Sequence, residues 1–371
     1  MKRILSLALA LALLLCACAS QSADETGTSE PVDETIEQTE AETDPVETEA
    51  ETNPTETEAE PSEAALLYVN PLNGEAIAEP YTARPVAVML NNILAAMPQH
   101  GQSQADILYE VLAEGGITRC MAIYSDVSAV PKIGSVRSSR LYYVELAQSY
   151  DAIYVHAGGS TEALNYLSSS GWADIDGNSG SSSYFYRDSD RIASGYAWEH
   201  TLFTSGPQLV AAAEALGLRS TVEEGTTFGL EFDDSTVYVG SSAETVQVKF
   251  GIGTKTTSFT YNADDSLYYA AQFGSDYIDG TTGEALTFRN LLVLRTSLSV
   301  LSGEAGYLRV DTTGSGTGYY MCNGQCVAIR WSRESVTDPF TYTLESGAPL
   351  VLSPGKTYIA VVSTSASIQY S

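Results

Sequence analysis

The chain has 371 residues, 44% of them hydrophobic, with 47 acidic against 18 basic side chains and a formal net charge of −29. That balance argues against nucleic acid as a partner, because a binder of phosphate backbones carries a basic face. Three histidines without His-Glu-x-x-His spacing exclude the usual zinc hydrolase pattern, and neither a phosphate loop nor a Gly-x-Ser-x-Gly elbow occurs; Gly101-Gln-Ser-Gln-Ala105 misses the elbow at its last position. No metal and no cofactor is expected.

The chain begins Met1-Lys2-Arg3, continues through an apolar run to Leu15, and then reads Leu15-Cys16-Ala17-Cys18. This is the pattern of a bacterial lipoprotein signal: an apolar stretch of about a dozen residues falls short of the roughly 20 needed to span a bilayer. Ala17 puts a small residue before Cys18, which marks Cys18 rather than Cys16 as the lipidated cysteine ending a signal of residues 1–18. The expectation is an extracytoplasmic protein anchored by lipid to the bacterial cell membrane, where two acyl chains hold stably.

Residues 19–65 are dominated by Glu, Thr, Asp and Pro, and no Lys or Arg stands between Arg3 and Arg84. A near-repeat runs through Thr39-Glu-Ala-Glu-Thr-Asp-Pro-Val-Glu47 and Thr48-Glu-Ala-Glu-Thr-Asn-Pro-Thr-Glu56. So polar a segment buries too little apolar surface to offset its ordering entropy, which predicts a disordered tether with a mean reach of about 40 Å.

Residues 66–218 read as an α/β domain with a mixed or mostly parallel sheet. Arg84–Leu90 and Asp151–His156 are continuous apolar runs, the signature of strands covered on both faces. Ile107–Val111 and Thr118–Tyr124 flank Glu114-Gly115-Gly116 and predict a strand pair with a glycine turn. Helices are expected over Ser139–Tyr150, over Thr161–Leu167 with Ser160 as N-cap, and over Leu209–Leu216 between Ser205 and Gly217. Residues 219–371 read as a β-rich domain with strands at Thr236–Val239, Val246–Phe250, Ser258–Tyr261, Leu291–Leu294, Cys326–Trp331 and Tyr358–Val362. Asn323-Gly324 signals a hairpin turn, and in an oxidising location the flanking Cys322 and Cys326 are expected to form a disulfide. Cys120, inside an apolar strand, reads as a core residue.

One set of motifs carries a resemblance. Arg84-Pro-Val-Ala-Val-Met-Leu-Asn91-Asn92, Pro98-Gln99, Asp106-Ile-Leu-Tyr-Glu110, Glu114-Gly-Gly-Ile-Thr-Arg119, Ile133-Gly-Ser-Val-Arg137-Ser138-Ser-Arg140 and His156-Ala-Gly-Gly-Ser160 together resemble the YerB-like lipoproteins, a family built of DUF3048 domains. Tyr261-Asn262, Phe273-Gly274, Asp279, Asn290-Leu-Leu-Val293 and Pro354-Gly-Lys-Thr357 are similar to that family's C-terminal domain, with Tyr277 and Ala270 departing from its pattern. The resemblance implies an envelope lipoprotein of two domains and supplies no catalytic activity.

The residues themselves suggest where a ligand would sit. Arg137 and Arg140 stand at the start of a predicted helix, where each cation opposes the macrodipole by about 0.3–1 kcal/mol, so something anionic must compensate them. That is either a ligand, held with help from Ser138, or one of Asp106, Glu110 and Glu114. His156, Gly158, Gly159 and Ser160 occupy a strand-to-helix turn of the kind that lines ligand crevices in α/β sheets, and Asn91 and Asn92 end the neighbouring strand. Glu110 and Glu114 would share a face on an unbroken strand, and Arg119 can pair with one of them across the turn. Two functions follow. The first is a binding protein for an anionic or saccharide wall component, or for a protein partner, using Asn91, Asn92, Glu110, Glu114, Arg119, Arg137, Ser138, Arg140, His156, Gly158, Gly159 and Ser160. The second is an envelope hydrolase or transferase pairing His156 with Glu110 or Glu114.

Overall fold

A computed structural model describes residues 68–251, 255–301 and 306–371. The signal with Cys18 and the acidic tether lie outside the described residues. Among those described, the architecture is dominated by one mixed sheet of eleven strands and a second sheet of six.

The apolar run at Val86–Asn92 explains the centre of the larger sheet. Its side chains alternate, so Val86, Val88 and Leu90 join one core while Ala87 and Met89 join the other. Both faces being covered, each position can be apolar. The strand pairs antiparallel with Thr118–Tyr124 and parallel with Ile153–His156, and Thr118–Tyr124 pairs antiparallel with Ile107–Leu112. Helix α1 (Leu141–Gln148) seals one face with Tyr143, Leu146 and Ala147. Helix α2 (Thr161–Ser170) starts where its sequence says: the Ser160 hydroxyl accepts from the Ala163 amide. Ser205 does the same for the Gln208 amide at the start of Gly206–Ala215.

The sheet does not stop at the sequence halfway point. Thr357–Ser363 inserts between Ile107–Leu112 and Asn290–Thr296, parallel to both. From there the sheet continues through Gly314–Cys322 and Gln325–Arg333. The six-stranded sheet, which includes Thr245–Lys249, Thr256–Asn262 and Leu267–Gln272, packs Val246, Val248, Phe250 and Phe259 onto the core that holds Leu291, Val293 and Tyr358. The Phe259 and Tyr358 rings meet at 4.7 Å.

Two expectations fail here. Thr236–Val239 forms no strand: Val237 and Val239 are 70% and 91% exposed, so their β propensity finds no surface to pack on. Nor is there a Cys322–Cys326 disulfide. The hairpin turn forms as read, with Asn323 and Gly324 at φ 52° and 68°. Its register, however, sets Cys322 opposite Gln325 and Cys326 opposite Met321. The pleat then sends the two thiols to opposite faces, Cys322 into one core and Cys326 into the other, and both are free.

Candidate functional site

Three chain segments converge beyond the end of Val86–Asn92. Residues 135–139 run beside it, the Asn91 amide donating to the Ser135 carbonyl (3.0 Å) and the Arg137 amide to the Met89 carbonyl (3.0 Å). On their other side lies the turn after Ile153–His156: the Ala157 amide donates to the Arg137 carbonyl (3.0 Å) and the Ser139 amide to the Gly158 carbonyl (2.8 Å). This lacing delivers Arg137, Ser138 and Arg140 to the rim at the start of α1. No acidic residue occupies the first turn of that helix, and its N-cap residue, Arg140, makes no side-chain cap.

Glu114 is the main counter-charge. It accepts from Arg119 Nη2 at 2.7 Å and from Arg140 through Nε at 3.0 Å and through Nη2. Burial alone would raise its pKa, but the two guanidiniums prevail and hold the carboxyl below its usual range. Arg119 also donates to the Ser138 carbonyl at 2.8 Å, and Arg140 lies 4.6 Å over the Tyr307 ring. Arg137 shares none of this. It donates to the Glu199 carbonyl at 2.8 Å, and the Glu199 carboxylate, 61% exposed, comes no nearer than 3.9 Å. Burial and then repulsion from Arg119 lower the Arg137 pKa. The Nε atoms of Arg119 and Arg137 are both buried without a hydrogen-bond partner. Three guanidiniums and a helix start are therefore answered by two carboxylates, Glu114 in close contact and Glu199 at 3.9 Å, leaving an excess of positive charge on a strongly acidic protein.

The other sequence candidates divide into separate structural roles. His156 is wholly buried; its Nδ1 meets the Gly158 carbonyl at 2.8 Å and its Nε2 meets Asp174 at 3.1 Å. Ser160 is committed to capping α2. Gly158 has φ +65°, and a Cβ on Gly159 would sit 3.1 Å from the Ser139 Cβ, so these glycines let the two segments approach each other.

Glu110 and Glu114 do not share a face, because the strand ends at Leu112 and Glu114 begins a 3-10 turn. Glu110 is completely buried at the contact between the sheets, where Asn92, Thr118 and Lys255 reach one oxygen and Thr257 and Tyr358 the other. The hydrolase reading fails on this geometry: His156 touches neither carboxylate, and every contact of Glu110 is internal. Asn92 belongs to the Glu110 group, whereas Asn91 reaches the rim through His200 Nδ1 at 3.0 Å.

Arg187 and Trp198 are not among the sequence candidates, and nothing local marks them: Trp198 follows Ala197, and its exposure is a property of the fold. The carbonyl of Trp198 accepts from Arg187 at 2.7 Å, and that guanidinium lies 4.4 Å over the indole. His200, at the same turn, has its pKa lowered by burial and then by Arg137.

Comparison with known proteins fixes the family. Residues 72–219 match the DUF3048 N-terminal domain and residues 246–359 the DUF3048 C-terminal domain, each described as of unknown function. The chain is 31% identical over 296 residues to "Putative lipoprotein YerB" of Bacillus subtilis (strain 168), covering 79% of this chain and 85% of that one. The chain belongs to the YerB-like DUF3048 family. A crystal structure of the YerB protein from Bacillus subtilis aligns over 81% of this chain and 99% of its own, with a TM-score of 0.71 and 28% identity. The rim residues Arg119, Arg137 and Arg140 and their partner Glu114 all fall within the N-terminal DUF3048 match, whereas Lys255 and Tyr358, which reach Glu110, fall within the C-terminal one.

Proposed function

We propose that this chain is an extracytoplasmic envelope protein, lipid-anchored at Cys18, that binds an anionic group of a cell-wall polymer at the Arg137 rim without catalysing a reaction. The single observation that carries the reading is the unbalanced arginine group: Glu114 answers Arg119 and Arg140, while the Arg137 guanidinium has only the exposed Glu199 carboxylate, at 3.9 Å. Such a donor set suits a phosphate or carboxylate oxygen. The name of the Bacillus relative and the Leu15-Cys16-Ala17-Cys18 signal support the anchor, and no helix among the described residues is long and apolar enough to cross a membrane.

The test incubates the full chain with purified wall fragments and follows both retention and fragment products. Retention that Arg137→Ala abolishes, with the melting temperature nearly unchanged and no new products, is the expected result. Release of cleaved fragments would reject the non-catalytic part, and full retention by Arg137→Ala would reject the rim.

A further inference from the structure

The anion reading leaves Trp198 without a role. This side chain is 63% exposed, whereas Trp172 and Trp331 each donate the indole N–H to a backbone carbonyl, that of Ala152 or Arg295. Its backbone is nevertheless fixed. The Trp198 carbonyl accepts from Arg187 Nη1 at 2.7 Å and from the Thr201 hydroxyl at 2.8 Å, and the next carbonyl, that of Glu199, accepts from Arg137 at 2.8 Å. Arg187 then places its guanidinium 4.4 Å over the indole. A large apolar ring is thus held open to solvent, braced on one face by a cation and one residue from the carbonyl that Arg137 holds.

Nothing within the described fold requires that ring to be exposed, and leaving it in water forgoes the gain from burial. Its chemistry suits the C–H face of a sugar ring, which stacks on an indole, while the guanidiniums beside it suit an acid group on the same sugar. A bare inorganic anion would leave the indole unused. A neutral sugar would leave the Arg137 guanidinium with only the Glu199 carboxylate, at 3.9 Å. We infer that Arg137, Arg187 and Trp198 form a subsite for a sugar ring carrying an anionic group, either a uronate or a sugar phosphate. This rests on the anion-binding reading above and adds the class of ligand.

The experiment titrates the full chain in detergent micelles with an oligogalacturonate, with glucose 6-phosphate, with a neutral malto-oligosaccharide and with inorganic phosphate, following tryptophan emission and calorimetric heat. Binding of either acidic sugar, with quenching that disappears in Trp198→Ala, is the expected result, and whichever binds identifies the anionic group. Trp198→Ala weakens that ligand about tenfold and leaves inorganic phosphate unaffected, while Trp198→Phe retains most of the affinity. Equal affinity for the acidic sugar in Trp198→Ala and the parent overturns the subsite but leaves the anion reading standing. Unchanged phosphate binding in Arg137→Ala overturns both. A neutral oligosaccharide that binds as tightly as the acidic ones overturns the sugar-acid pairing.

Discussion

Glu110 and Glu114 stand four residues apart in the chain and occupy two different worlds. Glu110 is sealed at the contact between the two sheets, five donors on its two oxygens, one of them Lys255 with a side chain only 4% exposed. Glu114, with 21% of its side chain exposed, sits at the rim between two buried arginines. The difference shows that charge in this fold does two jobs. Where positive and negative groups are matched and dry, they join regions distant in sequence; where they are mismatched and reachable, they leave attraction over for something outside the protein.

The largest effect should come from breaking the sealed side. Lys255→Met leaves Glu110 buried without its cation, and the expected loss is about 3–5 kcal/mol of stability, read from denaturant unfolding. A loss below about 1 kcal/mol would mean that the pair is wet and that the contrast with the rim is false. At the rim, Glu114→Gln removes the carboxylate shared by Arg119 and Arg140, and a smaller cost of about 1–3 kcal/mol is expected.

An effect confined to acid pH, and absent at neutrality, concerns His100, which joins the halves through Thr281 Oγ1 at 3.0 Å. Burial, then Lys132 and Arg191, push its pKa down to about 4, with Asp279 and Asp188 opposing. The unfolded chain takes up this proton near the ordinary value of about 6.5. The neutral ring's contribution is therefore fully present above that value and is lost as pH falls from there toward about 4. His100→Gln should flatten the stability–pH curve in that window; an unchanged slope would show that His100 is not the group responsible.

Much of the fold is legible in the sequence because it is encoded locally. Ser160 and Ser205 announce their helices by capping chemistry, Val86–Asn92 announces a strand covered on both sides, and Asn323-Gly324 announces its hairpin. What the sequence hides depends on register and on distance along the chain. One pleat step separates Cys322 from Cys326. The partner of Glu110 is Lys255, 145 residues away. The spacing of Glu110 and Glu114 gives a shared face only on an unbroken strand, and the turn at Gly115-Gly116, legible in the sequence, already breaks it after Leu112. At the rim, the need of Arg137 and Arg140 for negative charge is readable from the helix start. That Glu114 bonds Arg140 and Arg119 and not Arg137 emerges only in the folded arrangement of the three segments.

The most direct measurement compares inorganic phosphate binding by the full chain, Glu114→Gln and Arg137→Ala in parallel calorimetric titrations. If the rim carries uncompensated positive charge, removing the resident carboxylate tightens phosphate binding and removing Arg137 abolishes it. Phosphate affinity that is the same in all three proteins would contradict the account.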